Sequence, residues 1–401
     1  MDSVFQINYL ELLEEKSNEH AHMSKKISAA FGSQGPGFLI VTHVPGVTDI
    51  RSALFAATAR AAKLSDRDLR LLRSESALGS DISSRGVPPQ QRRVTTFSRQ
   101  IEVPESSTLR ESYRPDFASS GLSLGEALHE LASIIFRVGL LLLDLCDSCF
   151  SSGGVLGKAV KECGSAKARL VHYHKEGPPR KKGKAPKAEL WQDWHCDYGL
   201  LTGLAAPAYH EERGSGAAPH EPLPPDALLF QVGEAAEILS GGRLRATPHC
   251  VARPLPGRLF DRADESLEAE GGPCGCDVSR QNCVVFLQPH WSLPLVSPPT
   301  TGRSHGSRQK AEGFEAREEG CTWESRPFKR FGDDRQKLES QEADALSARE
   351  GLRVHSPAEH GFLPPPAVPA LEGRWYPMQQ FGAFSKSTVR AYYANEDAHG
   401  R

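Results

Sequence analysis

From Ala168 onward the chain breaks into short runs of strand-forming residues separated by turn residues, and this pattern constrains the fold more than any other feature. The runs cover residues 169–173, 200–204, 227–232, 249–253 and 283–287. Short strands at such spacing are used in stacked sheets and barrels, so a β-sandwich or barrel-like sheet pair is expected. Ahead of them the reading alternates strand and helix. Residues 4–13 read as a strand running into a helical turn, and 25–31 as a helix. Gly35-Pro36-Gly37 is a turn before the β-branched run Phe38-Leu39-Ile40-Val41-Thr42. Leu54, Ala57, Ala61, Leu64 and Leu69 predict one amphipathic helix over 52–72, and 74–120 reads as loop. Leu124, Leu128, Leu131, Ile135, Val138 and Leu142 form the stripe of a long helix over 123–150, expected to pack across the outside of the strand-rich half.

Composition sets the limits. The 401 residues are 39% hydrophobic, with 29 Pro and 36 Gly, so a real core is expected to be diluted by long loops. Three segments have loop composition: 175–187 is rich in Pro and Lys, 254–277 is acidic and Gly-rich, and 297–373 is polar and charged with almost no apolar periodicity. The 48 basic and 50 acidic residues nearly cancel, which argues against binding nucleic acid or a membrane through bulk charge. Nine Cys in this length is not disulfide-scaffold density. The acidic N-terminus carries no secretory pattern, and the apolar stretch 134–145 is too short to span a bilayer. A soluble protein of a reducing compartment is expected.

Chemistry enters at Trp194-His195-Cys196-Asp197-Tyr198-Gly199-Leu200-Leu201-Thr202. In extended backbone, side chains at i and i+2 share a face. His195 and Asp197 can therefore offer an imidazole nitrogen and a carboxylate oxygen to one metal ion, while Cys196 points away. A lone His-x-Asp arises readily by chance. Here a second histidine, His249, arrives on a later strand after Gly241-Gly242-Arg243-Leu244-Arg245-Ala246-Thr247-Pro248. Two His and one carboxylate on one face leave three positions open, a set that suits non-haem Fe(II) used with O₂.

Further segments accompany that motif. They are Phe5-Gln6-Ile7-Asn8-Tyr9-Leu10, Gly37-Phe38-Leu39-Ile40-Val41-Thr42-His43-Val44, Arg169-Leu170-Val171-His172-Tyr173 and Phe230-Gln231-Val232-Gly233-Glu234. Arg280-Gln281-Asn282 then runs into Cys283-Val284-Val285-Phe286-Leu287-Gln288-Pro289. Together they resemble the isopenicillin N synthase-like group of Fe(II)/2-oxoglutarate-dependent dioxygenases. In order, they are similar to its opening strand, its GFF-x-x-x-NHG segment, the strand flooring the cosubstrate pocket, its N-x-GD turn and its Arg-x-Ser strand. Residues 389–395, after Phe381-Gly382-Ala383-Phe384, resemble its closing helix.

The resemblance implies an α+β, mainly β, fold. Its core is a double-stranded β-helix (jelly-roll) with N-terminal helices and a long supporting helix. The implied organisation is an N-terminal region 1–120, the oxygenase core 121–296, a low-order polar insertion 297–373 and a closing segment 374–401. It also implies Fe(II) held by His195, Asp197 and His249, with 2-oxoglutarate and O₂ as cosubstrates. Arg280, Asn282 (in place of the family's Ser) and Tyr173 would bind the cosubstrate. His172, His174 and Thr202 are candidate pocket residues, and no catalytic group beyond the metal centre is implied. A guanidinium suits the distal carboxylate of a keto acid, because it offers two parallel hydrogen bonds and a charge that does not titrate. Residues 254–277 lengthen the path from His249 to Arg280, and Arg253 and Arg258 are the alternatives should they not form a hairpin tip.

The activity implied is oxidation, as hydroxylation, of a small organic substrate with release of succinate and CO₂. Two alternatives stand beside it: an oxidase using Fe(II) and O₂ without 2-oxoglutarate, and a non-catalytic metal-binding relative. A cytoplasmic monomer is expected, with no nucleic acid or membrane partner. Cys146-Asp147-Ser148-Cys149 closes the long helix and reads as structural, Cys274-Gly275-Cys276 reads as loop cysteines, and the basic run 179–184 reads as a solvated loop rather than a nuclear-localisation patch.

Overall fold

The computed structural model describes residues 5–13, 17–80, 92–102, 123–150, 154–175, 190–211, 222–253, 278–298, 369, 371 and 373–398. Most of the three expected loop segments, the basic run, Arg258, Cys274 and Cys276 lie outside these residues. In chain order the elements are β1 (Gln6–Asn8), α1 (Tyr9–Leu13), α2 (Ser17–Phe31), β2 (Phe38–Thr42), α3 (Val47–Ala61), α4 (Asp66–Glu75) and β3 (Val94–Glu102). There follow α5 (Leu124–Cys149), α6 (Val155–Cys163), β4 (Ser165–Tyr173), β5 (Leu190–His195), β6 (Leu201–Ala205) and β7 (Ala208–Glu211). The last are β8 (Leu228–Val232), α7 (Glu234–Leu239), β9 (His249–Ala252), β10 (Val278–Leu287) and α8 (Phe381–Ala398).

The architecture is mixed helix and sheet. Among the described residues, eight strands form one sheet in the order β1-β2-β8-β6-β10-β4-β3, with β7 continuing along the β10 edge that β6 occupies further on. A second, two-stranded sheet pairs β5 with β9. Alternation sorts the large sheet into two faces. Phe97, Leu170, Cys283, Val285 and Phe230 are buried on the helix side. Arg280, Asn282, Tyr173, Val171, Thr202 and Gln231 stand at register positions on the other side, toward β5 and β9. A smaller apolar cluster of Val171, Tyr173 and Trp191 joins the two sheets, with the Tyr173 and Trp191 rings stacked at 5.4 Å.

Helix α5 starts at a capping box, in which Ser123 Oγ accepts from the Glu126 N–H and the Glu126 carboxylate accepts from the Ser123 N–H. It packs across one face of the large sheet, against β6 and β10, as its stripe predicts, with α2, α3 and α6 also against it: Leu128, Leu131, Ile135, Phe136, Val138 and Leu142 are all fully buried. The approach to the sheet is close because glycines face it. A Cβ on Gly203 would stand 2.4 Å from Ile135 Cγ2, and one on Gly139 2.9 Å from Leu287 Cδ2.

Two local expectations change. The single helix over 52–72 is two helices, because Ser65 caps a new start by accepting from the Asp68 N–H at 3.2 Å. The segment expected to be loop contains β3, which pairs with all of β4. Its Thr-, Ser- and Arg-containing sequence hid an alternation that buries Thr95, Phe97 and Ile101. Among the described residues no helix is long and apolar enough to cross a membrane.

Candidate metal centre

His195 ends β5 and His249 begins β9, and the two are directly paired across the small sheet. Asp197 follows two residues after His195. One ligand atom from each of the three lies within 4.8 Å of the others. His195 Nε2 is 3.9 Å from Asp197 Oδ1, and His249 Nε2 is 3.8 Å from Asp197 Oδ2. Among the described residues this is the group able to hold a metal ion.

The surroundings fit a cation. His195 Nδ1 donates to the Asp193 carbonyl at 2.7 Å and His249 Nδ1 to the Thr247 carbonyl at 2.9 Å, so each Nε2 is left with its lone pair toward the centre. Asp197 Oδ2 already accepts from Thr202 Oγ1 at 2.6 Å and Gln231 Nε2 at 3.0 Å, which leaves Oδ1 for ligation. Burial lowers the His195 pKa, which favours the neutral imidazole that a metal ion would need. Burial raises that of Asp197, but His249, His195 and the two hydrogen bonds outweigh it and hold the carboxylate ionised. Cys196 is buried and takes no part in the group.

Backbone bonds fix the turn that carries Asp197. The Asp197 carbonyl accepts from the Glu234 N–H at 2.8 Å, and the Cys196 N–H donates to Tyr392 Oη on α8 at 2.8 Å. Glu234 in turn forms a two-pronged ion pair with Arg374, at 2.8 and 2.7 Å, and both side chains are buried. Arg374 also donates to Thr388 on α8. Breaking this pair strands a buried charge, so Arg374→Met is expected to lose about 3–5 kcal/mol of stability. Denaturant unfolding checks this. Replacing Glu234 with Leu in the same chain should recover much of the loss, and a double variant no better than the single one would contradict the account.

Along the face of β10 that looks toward β5 and β9 stands Arg280. It is paired in register with Tyr173 on one side and Tyr209 on the other, its guanidinium 5.4 and 5.8 Å from their ring centroids. It is 9% exposed, and its Nε and Nη1 are buried with no hydrogen-bond partner among the described residues. Two buried donors of this guanidinium are thus available to an acceptor, while the Tyr173 side chain takes a hydrogen bond from it. Asn282 lies two residues along on the same face, opposite Val171, with Oδ1 also buried and unmatched. Thr202 acts through Asp197. Arg253 is buried with its guanidinium over the Trp191 ring at 5.3 Å.

His172 and His174 face the other way. Alternation along β4 sets them against Tyr173, and His172 Nδ1 accepts from Gln281 Nε2 at 2.8 Å on the helix side of the sheet. His174 Nε2 meets Thr95 Oγ1 at 2.8 Å. Neither shares the face that carries Arg280. Burial, with the nearby charges of His174, His210 and Lys63, pushes the His172 pKa down to about 3. The unfolded chain takes up a proton near pH 6.5 and the folded chain does not, so stability falls as pH drops through that window. At pH 4 the loss is on the order of 3 kcal/mol. His172→Asn, which keeps an acceptor for Gln281, should flatten the pH dependence of unfolding between about pH 6.5 and 4. An unchanged slope would place the acid sensitivity elsewhere.

Sequence reasoning missed Gln192, Gln231 and Tyr209 as site residues. Gln231 stands inside the family-like segment at 230–234, and Tyr209 lies on a four-residue strand with no strong pattern. Cys146 and Cys149 are free thiols, and burial pushes Cys146 up.

No protein-family model matches the chain, and no curated protein matches it. Solved structures similar to it include a full-length Neurospora crassa protein in complex with alpha-KG and 5-formyluracil. That structure is 15% identical over 76% of this chain and 91% of that one, with a TM-score of 0.48. The dioxygenase for auxin oxidation from rice is 16% identical over 85% of this chain and 96% of that one, with a TM-score of 0.43. Its Arabidopsis thaliana namesake with 2-oxoglutarate is 15% identical over 75% and 97%, also at 0.43. At such identities the chemistry rests on this chain's own residues.

Proposed function

We propose that this chain is an Fe(II)- and 2-oxoglutarate-dependent oxygenase that hydroxylates a small organic substrate, on a jelly-roll core of the isopenicillin N synthase-like kind. The observation that carries the reading is the pairing of two features between the same two sheets. A two-histidine, one-carboxylate group stands at one place, and a buried guanidinium with unmatched donors stands at another. His195, Asp197 and His249 hold the metal and leave positions open beside it. Arg280, between Tyr173 and Tyr209, binds the distal carboxylate of the keto acid, whose charge supplies the missing hydrogen-bond acceptors. Thr202 and Gln231 hold Asp197 in one orientation, so its free oxygen stays aimed at the centre.

When bound, Fe(II) with 2-oxoglutarate and O₂ supplies the oxidising power for C–H hydroxylation, with succinate and CO₂ as the other products. The chain's own part is to ligate, orient and exclude water. Titrating the purified protein with Fe(II) and labelled 2-oxoglutarate, over a panel of small organic molecules, tests the reading. Iron-dependent CO₂ release that rises with substrate is expected. Turnover without 2-oxoglutarate would make the protein an oxidase, with Arg280 holding a carboxylate of the substrate itself.

A further inference from the structure

Strand β5 is irregular at the point where it carries the metal ligand. Its register partners on β9 are Val251 for Gln192 and His249 for His195, so three steps along β5 match two along β9. In a regular strand positions 192 and 195 would face opposite sides, and the extra residue puts both on one face. Bulges of this kind re-aim side chains next to functional sites.

The re-aimed side chain spans the site. Gln192 Oε1 accepts from Tyr173 Oη at 3.2 Å, and Gln192 Nε2 donates to His195 Nε2 at 2.9 Å. The carboxamide thus bridges the metal ligand and the tyrosine that borders Arg280. His195 Nε2 is the lone pair that ligation uses, because Nδ1 is committed to the Asp193 carbonyl. A metal ion there takes the acceptor away from Gln192 while Tyr173 still holds its carbonyl end. The amide is then a donor without a partner, lying between the metal and Arg280. A polar group so placed costs free energy unless something accepts from it.

We propose that Gln192 is a cosubstrate-binding residue: its side-chain N–H donates to an oxygen of 2-oxoglutarate beside His195. This rests on the function proposed above and adds a contact at the opposite end of the dicarboxylate from Arg280. It makes the site selective for a molecule with one acceptor group at the metal and a second carboxylate at Arg280.

The test uses the full chain loaded with Mn(II), a redox-inert stand-in, and measures 2-oxoglutarate binding by calorimetry with no turnover. Gln192→Leu is expected to bind 2-oxoglutarate about 10- to 100-fold more weakly, the worth of a hydrogen bond to a charged group. It should bind Mn(II) at least as well as wild type, since the amide no longer competes for the His195 lone pair. Intact Mn(II) binding also reports that the variant is folded. Gln192→Glu should weaken 2-oxoglutarate further, through like-charge repulsion, while tightening Mn(II). Wild-type affinity for 2-oxoglutarate in Gln192→Leu would overturn the assignment of Gln192 alone, provided Arg280→Ala has lost it. Failure of the wild-type Mn(II) protein to bind 2-oxoglutarate would overturn both this inference and the proposed function.

Discussion

Alanine at His195, Asp197 or His249 is expected to abolish stable Fe(II) binding while the sheets remain folded. Each residue supplies one donor of a three-donor set, and among the described residues no fourth His, Cys, Asp or Glu joins the group. Loss of an outer hydrogen-bond partner of a metal ligand costs about 10- to 100-fold in affinity, so loss of a ligand itself should exceed that. The fold should survive because the apolar core lies on the helix side of the large sheet, away from these three side chains. Asp197→Glu should fail as well: its extra methylene moves the carboxylate away from the donors Thr202 and Gln231 and out of line with the two imidazoles. Metal analysis of the purified variants, beside their thermal unfolding, decides the matter. A variant with wild-type iron content would remove that residue from the ligand set.

Arg280→Ala is expected to raise the 2-oxoglutarate requirement steeply while iron content stays unchanged. The guanidinium is buried between two tyrosine rings, and the carboxylate it would pair with has no other cation assigned to it. Leaving that carboxylate without its counter-charge costs on the order of 2–5 kcal/mol, or ~30-fold to several-thousand-fold in affinity. Arg280→Lys should recover only part, since an ammonium cannot reproduce the two-pronged geometry. Asn282→Ser should be mild, because Asn282 lies two residues along the same face of β10 with its carbonyl oxygen unmatched, so that bond is not there to lose. Succinate formation against 2-oxoglutarate concentration, with iron measured in parallel, separates these outcomes. An unchanged requirement in Arg280→Ala would move the anchor to another residue, with Arg253 the next to try.

Much of this site was legible before any fold was known. His195 and Asp197 could be read as a pair because their shared face follows from local strand geometry, which needs no tertiary information. The strand runs at 169–173, 200–204, 227–232, 249–253 and 283–287 all fall on observed strands or within a residue of them, since β-branched and aromatic residues mark a buried pleated surface. The long helix was equally clear from its apolar stripe. Strand β3 was not, because an edge-side sequence rich in Thr, Ser and Arg looks like loop until β4 lies beside it.

What the amino-acid sequence determined by itself was therefore local: donor chemistry, strand and helix periods, and the alternation of neighbours along β4 and β10. Only the tertiary structure decided which member of each alternating pair meets the site. Tyr173 faces Arg280, whereas His172 turns to Gln281 and the helix side. Packing of one face against α5 makes that choice for the whole strand at once. The same holds for Gln192. Its distance from His195 along the chain predicts opposite faces, and the bulge against β9 reverses the prediction, because register depends on a partner strand that is remote in sequence.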